Sequence, residues 1–123
     1  MFEEIRQIVC LAGHIMTISQ IMEKMIAFSE GNIHDIDHFI RVWTYAKTIA
    51  ESEQLDAETQ YILEIAAITH DIACPLCREK YGNTGGKHQE AEGVPRRAFL
   101  AQVMGVQRSD TQAVLVEEQA VFD

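Results

Sequence analysis

Apolar residues recur at three- and four-residue spacing along nearly the whole chain, and no stretch sustains the alternation of a half-buried strand. Only two prolines, Pro75 and Pro95, interrupt the pattern, which predicts an all-α fold of about five to six helices. The first helix runs from Phe2 to about Ile15, with Gly13 blurring its end. The second spans about Thr17 to Ser29, with Ile21, Met22, Met25, Ile26 and Phe28 apolar and Gly31 as its stop. The third begins near Asp35, a potential cap, and continues to about Gln54. In it Asp37, Arg41, Thr44, Thr48 and Glu51 share one polar wedge while apolar residues take most of the remaining circumference, so it is expected to be central. The fourth starts around Asp56 and is apolar on nearly every side up to His70-Asp71, as a segment buried by its neighbours would be.

Pro75 ends that helix, and the stretch from Cys74 to Lys87, containing Gly82, Asn83, Gly85 and Gly86, reads as a short helical turn and a loop. Loops of this kind often border a site. A further helix covers about His88 to Met104, interrupted or restarted around Pro95, and a last one is suggested by the capping-box spacing of Ser109 and Gln112. Residues 1–15 are taken as an N-terminal helical extension to a domain over 16–123, with Met16 an alternative start.

At 123 residues the chain has the size of one domain. Ten basic against 19 acidic residues give a formal charge of −9, which argues against nucleic-acid binding through a basic surface. No uninterrupted apolar run reaches the length of about 18 residues that a membrane span needs, and the N-terminus lacks a secretory pattern. A soluble, cytoplasmic protein is therefore expected. Its three cysteines read as reduced thiols.

Chemistry concentrates at His70-Asp71, adjacent at the end of an otherwise apolar helix, where coordinating side chains are costly unless a divalent cation compensates them. Imidazole nitrogen with carboxylate oxygen suits Fe, Mn, Zn or Co. Alone, the pair is weakly specific, because a capping Asp71 and an internally hydrogen-bonded His70 also account for it. His38 adds weight from 32 residues upstream, provided that the third and fourth helices are antiparallel in a register that brings it to the far end of the fourth.

The string His38-Phe-Ile-Arg-Val, then about thirty residues, then Ala66-Ala-Ile-Thr-His-Asp-Ile-Ala resembles the start of the HD superfamily of metal-dependent phosphohydrolases, whose ligand pattern is H, then HD, then a distant D. The text from Gly31-Asn-Ile-His-Asp-Ile-Asp-His through Tyr81-Gly-Asn-Thr-Gly-Gly-Lys is similar to a bacterial subgroup of small HD-domain proteins, over roughly Ile21 to Glu92. The resemblance implies a compact helical bundle in which His38, His70 and Asp71 hold a divalent transition metal, with His70 and Asp71 as the catalytic pair. A metal-activated water would attack a phosphomonoester, phosphodiester or nucleotide. The chain departs from the pattern beyond about Val103: no histidine follows His88, and the remaining aspartates are Asp110 and Asp123. The fourth ligand is therefore expected to be missing, or to come from Asp110, Asp123 or another chain. The alternative function is a catalytically silent scaffold binding a nucleotide or partner protein.

Further candidates surround this set. His34, four residues before His38, is either an extra ligand or substrate contact or simply solvent-facing. Arg78, Lys80 and Lys87 flank the glycine-containing loop as potential phosphate contacts, and His88 follows it as a potential substrate contact. Glu64, seven residues before Asp71, is read as a hydrogen-bonding support for the ligands or as the partner of a base on another helix. Cys74 and Cys77 form a Cys-x-x-Cys without the strand or the second pair that redox and zinc sites usually bring, so packing is the preferred role. Apolar tail residues such as Val114, Leu115 and Val116 suit either a core face or a homodimer contact.

Overall fold

The computed structural model describes residues 2–12 and 16–103, which form six helices and no strand among them. These are α1 (Phe2–Ala12), α2 (Ile18–Phe28), α3 (Ile33–Ser52), α4 (Ala57–Thr69), α5 (Cys74–Tyr81) and α6 (Gly86–Val103). The helix proposed after Ser109, together with Asp110 and Asp123, lies outside the described residues. No helix among the described residues is long and apolar enough to cross a membrane.

Local chemistry sets most boundaries. Thr17 opens α2 with a reciprocal box: its hydroxyl accepts from the Gln20 amide at 3.1 Å, and the Gln20 side chain accepts from the Thr17 amide at 2.8 Å. The α2–α3 turn takes Glu30 and Gly31 through φ of 50° and 80°, the second of which a glycine adopts without steric cost. Asn32, rather than Asp35, caps α3 by accepting from the Asp35 amide at 3.1 Å. Asp56 caps α4, accepting from the amide and hydroxyl of Thr59 at 2.9 and 2.7 Å. The stretch read as a turn and loop contains α5, which carries Pro75 in its first turn, where a missing N–H costs nothing. Gly82, with φ of 75°, stops it.

The central helix is α4. Its Ile62, Ile65, Ala66, Ala67 and Ile68 are buried, and α1, α2 and α3 all pack on it. The expectation that α3 is central does not hold: α3 lies against α4 with Phe39 and Ala50 inward, and leaves Tyr45 and Ile49 exposed at 62% and 60%. Apolar residues around most of a helix do not bury it when the neighbouring elements pack elsewhere. Ile5 and Val9 of α1 join the same core as Ile68, Ile72 and Leu100. A buried ion pair closes this side: Arg97 of α6 donates from Nε to Glu4 of α1 at 2.6 Å and also from Nη2. Its Nη1 reaches the Thr69 carbonyl at the end of α4 at 3.4 Å.

Candidate metal centre

Two contacts set the register of α3 against α4. Trp43 donates to Glu64 at 2.8 Å, and five residues earlier His38 meets His70, six residues beyond Glu64 and just past the end of α4. Rising positions on one helix pair with falling positions on the other, so the helices are antiparallel and carry His38 to the far end of α4. There the helix stops at Thr69, and residues 70–73 turn the chain into α5, with Ile72 and Cys74 amides bonded to the Thr69 and Asp71 carbonyls at 3.1 and 3.0 Å. Because of this turn, two consecutive side chains, His70 and Asp71, face the same point.

His38 Nε2 and His70 Nε2 are 3.2 Å apart, and each lies 3.1 Å from Asp71 Oδ2. A cation held at about 2.0–2.2 Å by imidazole nitrogen and carboxylate oxygen spaces its ligands by about 3.0–3.4 Å. The donor set therefore fits a divalent transition metal. Without a cation, the Asp71 carboxylate accepts from a protonated ring nitrogen, so the same triangle is also an ordinary hydrogen-bonded cluster. The tautomer fits too. His70 Nδ1 lies 2.7 Å from the Ala67 carbonyl, which can only accept, so Nδ1 carries the proton and the neutral ring turns its Nε2 lone pair toward the cluster. This support was not read from the sequence, although a signal exists: the last carbonyls of a helix lack onward partners, and a histidine at the helix end can supply one.

Side-chain exposures of 48%, 25% and 30% for His38, His70 and Asp71 leave the cluster open to a ligand from solvent. The hydrogen bond that the protonated ring donates to the Asp71 carboxylate, and then the one to the Ala67 carbonyl, raise the His70 pKa above its ordinary 6.5 against the opposing effect of burial. The same His70 bond holds the Asp71 carboxyl below its ordinary 3.8, with the charges on His70 and His38 adding to it. Among the described residues no other group of three such side chains converges in this way.

The remaining candidates are placed apart. His34 lies one turn before His38, beyond the end of α4, and is 93% exposed at the side chain, outside the cluster. Glu64 is buried, but its two oxygens accept from Trp43 at 2.8 Å and Gln60 at 3.1 Å. The seven-residue phase from Glu64 to Asp71 fails because the helix ends before Asp71. Lys80 binds Glu92 of α6 at 2.8 Å, Tyr81 donates to the same oxygen at 2.9 Å, and His88 stacks on the Tyr81 ring with centroids 3.9 Å apart. These residues brace the α5–α6 corner, and Lys87 is exposed on it. Cys74 and Cys77 are buried free thiols. Burial pushes the Cys74 pKa up to about 11, helped by the nearby Asp71 and Asp35 charges, the reverse of what a redox or zinc-binding thiol needs.

One pairing beside the cluster has no counterpart in the sequence reading. Asp35, read as a cap, lies in the first turn of α3 and shares a cleft with His38, Phe39 and Asp71. Its carboxylate accepts from both terminal nitrogens of Arg78 on α5, Nη1 at 3.4 Å and Nη2 more closely. Comparison with models of known protein families, with curated proteins and with solved structures found no match.

Proposed function

We propose that the chain is a metal-dependent phosphohydrolase of the HD-domain type, acting on a phosphomonoester, phosphodiester or nucleotide. The observation that carries this reading is the triangle of His38, His70 and Asp71 donor atoms at 3.1–3.2 Å. It brings together the three residues on which the resemblance to the HD superfamily rests. A divalent cation, Fe, Mn, Zn or Co, supplies Lewis acidity toward a phosphoryl oxygen and lowers the pKa of an attacking water. The chain's own part is to present three donors from the start of α3 and the end of α4. His38 projects from the second turn of α3, and His70 is fixed by the Ala67 carbonyl. Asp71 provides the anionic donor, and its lowered pKa keeps it ionised throughout the neutral range. Arg97, which bonds the Thr69 carbonyl, ties the end of α4 to α1 and α6 and so steadies the turn that carries both residues.

A second reading has one observation in its favour. The described residues provide three protein donors at the cluster and no fourth. A scaffold of the same type that binds a nucleotide or partner protein without turnover would share this geometry.

Elemental analysis of protein purified without added metal, beside Asp71→Ala, separates the readings. Near-stoichiometric transition metal that disappears in the variant supports the hydrolase and directs a phosphatase and phosphodiesterase screen. No metal in either protein, even after Mn or Fe is added, sinks the enzyme reading and leaves the silent scaffold.

A further inference from the structure

A phosphoryl group carries negative charge on its non-bridging oxygens, and a site that acts on one needs cationic donors besides the metal. Of the basic residues expected to flank this region, Lys80 is turned to Glu92 and Tyr81, and Lys87 lies exposed on the α5–α6 corner. Arg78 is placed differently. It stands on α5, two turns beyond Asp71, and its partner Asp35 lines the cleft that His38 and Asp71 also line.

The pairing has a chemical consequence. A guanidinium has five N–H donors in a rigid plane, and a two-point contact through its terminal nitrogens uses two of them. Three donors then remain on a side chain that is 41% exposed, while Asp35, only 16% exposed, fixes the plane of the group. An arginine held in this way loses little freedom on binding an oxyanion, unlike a free surface lysine. We infer that Arg78, positioned by Asp35, is the phosphoryl-binding residue of the His38–His70–Asp71 site, taking the non-bridging oxygens of a phosphate group that the cluster engages at another oxygen. This rests on the phosphohydrolase reading. It adds a residue that contacts substrate and the carboxylate that orients it, and it makes the phosphoryl group itself the recognised element. A structural tie between α3 and α5 is the competing account of the same pair.

Inorganic phosphate is the probe. Its binding to the full chain is followed by calorimetry and by ³¹P line width, with and without added Mn, for the parent protein, Arg78→Ala and Arg78→Gln. Gln keeps one amide donor for Asp35 and removes the charge, so it preserves the tie if Ala unfolds the protein. The expected result is phosphate binding weakened about tenfold or more in both variants, with metal content and helical circular dichroism unchanged. Parent-like phosphate affinity in a folded variant overturns the inference and leaves the pair as a tie between helices. Failure of the parent protein to take up metal instead overturns the phosphohydrolase reading. The metal-free phosphate titrations then still decide whether Arg78 binds the anion.

Discussion

In the proposed metal site, a proton and a divalent cation would compete for the same lone pair on His70 Nε2. Asp71 raises the pKa of His70 above 6.5, so in the metal-free protein the imidazolium persists to higher pH than usual. The sign follows on both sides of the pair. His70 contributes stability that is fully present below about 6.5 and lost as pH rises through its raised value. Asp71 contributes stability present above 3.8 and lost as pH falls through its lowered value. Metal binding runs the other way for His70, because the ligand must be deprotonated. Apparent Mn or Zn affinity is therefore predicted to fall at least about tenfold per pH unit below the His70 pKa, the proton displaced from His70 adding to any displaced from His38. Titrations from about pH 8 down to pH 6 check it, and a flat affinity would show that His70 does not coordinate. At this scale the sequence was legible where chemistry and spacing coincide, at His38 and His70-Asp71. It was not legible where a partner arrives from a distant element: Arg78 reaches Asp35 across 43 positions, and spacing along one helix cannot reveal that.

Helix α6 tests how an element survives two residues that disfavour it. Pro95 removes a backbone donor in the helix interior, yet the helix continues because each half is anchored separately. Glu92 holds Lys80 and Tyr81 on one side; Arg97 and Leu100 hold α1 and the core on the other. Gly93 lies beneath the Arg97 side chain, and a methyl group there would stand 3.1 Å from Arg97 Nη1. An exposed helical Gly→Ala change ordinarily stabilises by about 0.5–1 kcal/mol. Here the guanidinium cannot move aside without leaving Glu4 and Thr69, so Gly93→Ala is predicted to lower stability in urea unfolding. A gain in stability would mean that Arg97 is not held as described. The period of α4 was legible as a buried helix because its apolar residues from Tyr61 onward surround the helix, and Ile62 and Ile65 to Ile68 are buried. The exposure of α3 was not, since periodicity tells which side chains are apolar and leaves open which elements cover them. The extent of α5 was missed because eight residues with a proline in second place and a glycine directly after them look like a turn.

Across the whole molecule, the Glu4–Arg97 pair is an ion pair that joins the first described helix to the last. Side-chain exposures of 1% and 8% mean that water replaces neither partner if the other is lost. Glu4→Ala is predicted to cost about 3–5 kcal/mol in chemical denaturation, because it leaves a buried guanidinium without its counter-charge. Adding Arg97→Met should recover a large part of that loss. A cost below about 1 kcal/mol would place the pair in effective contact with solvent. The separation of 93 positions between the partners also bears on synthesis. A nascent chain emerging from the ribosome can pair α3 with α4 early, since only a short turn separates them. The first helix must wait through almost all of the described sequence, with Ile5 and Val9 uncovered until α4 emerges and the ion pair of Glu4 with Arg97 formed only after α6 does. Its docking is thus a closing step of folding, and the first described helix is among the last to be secured.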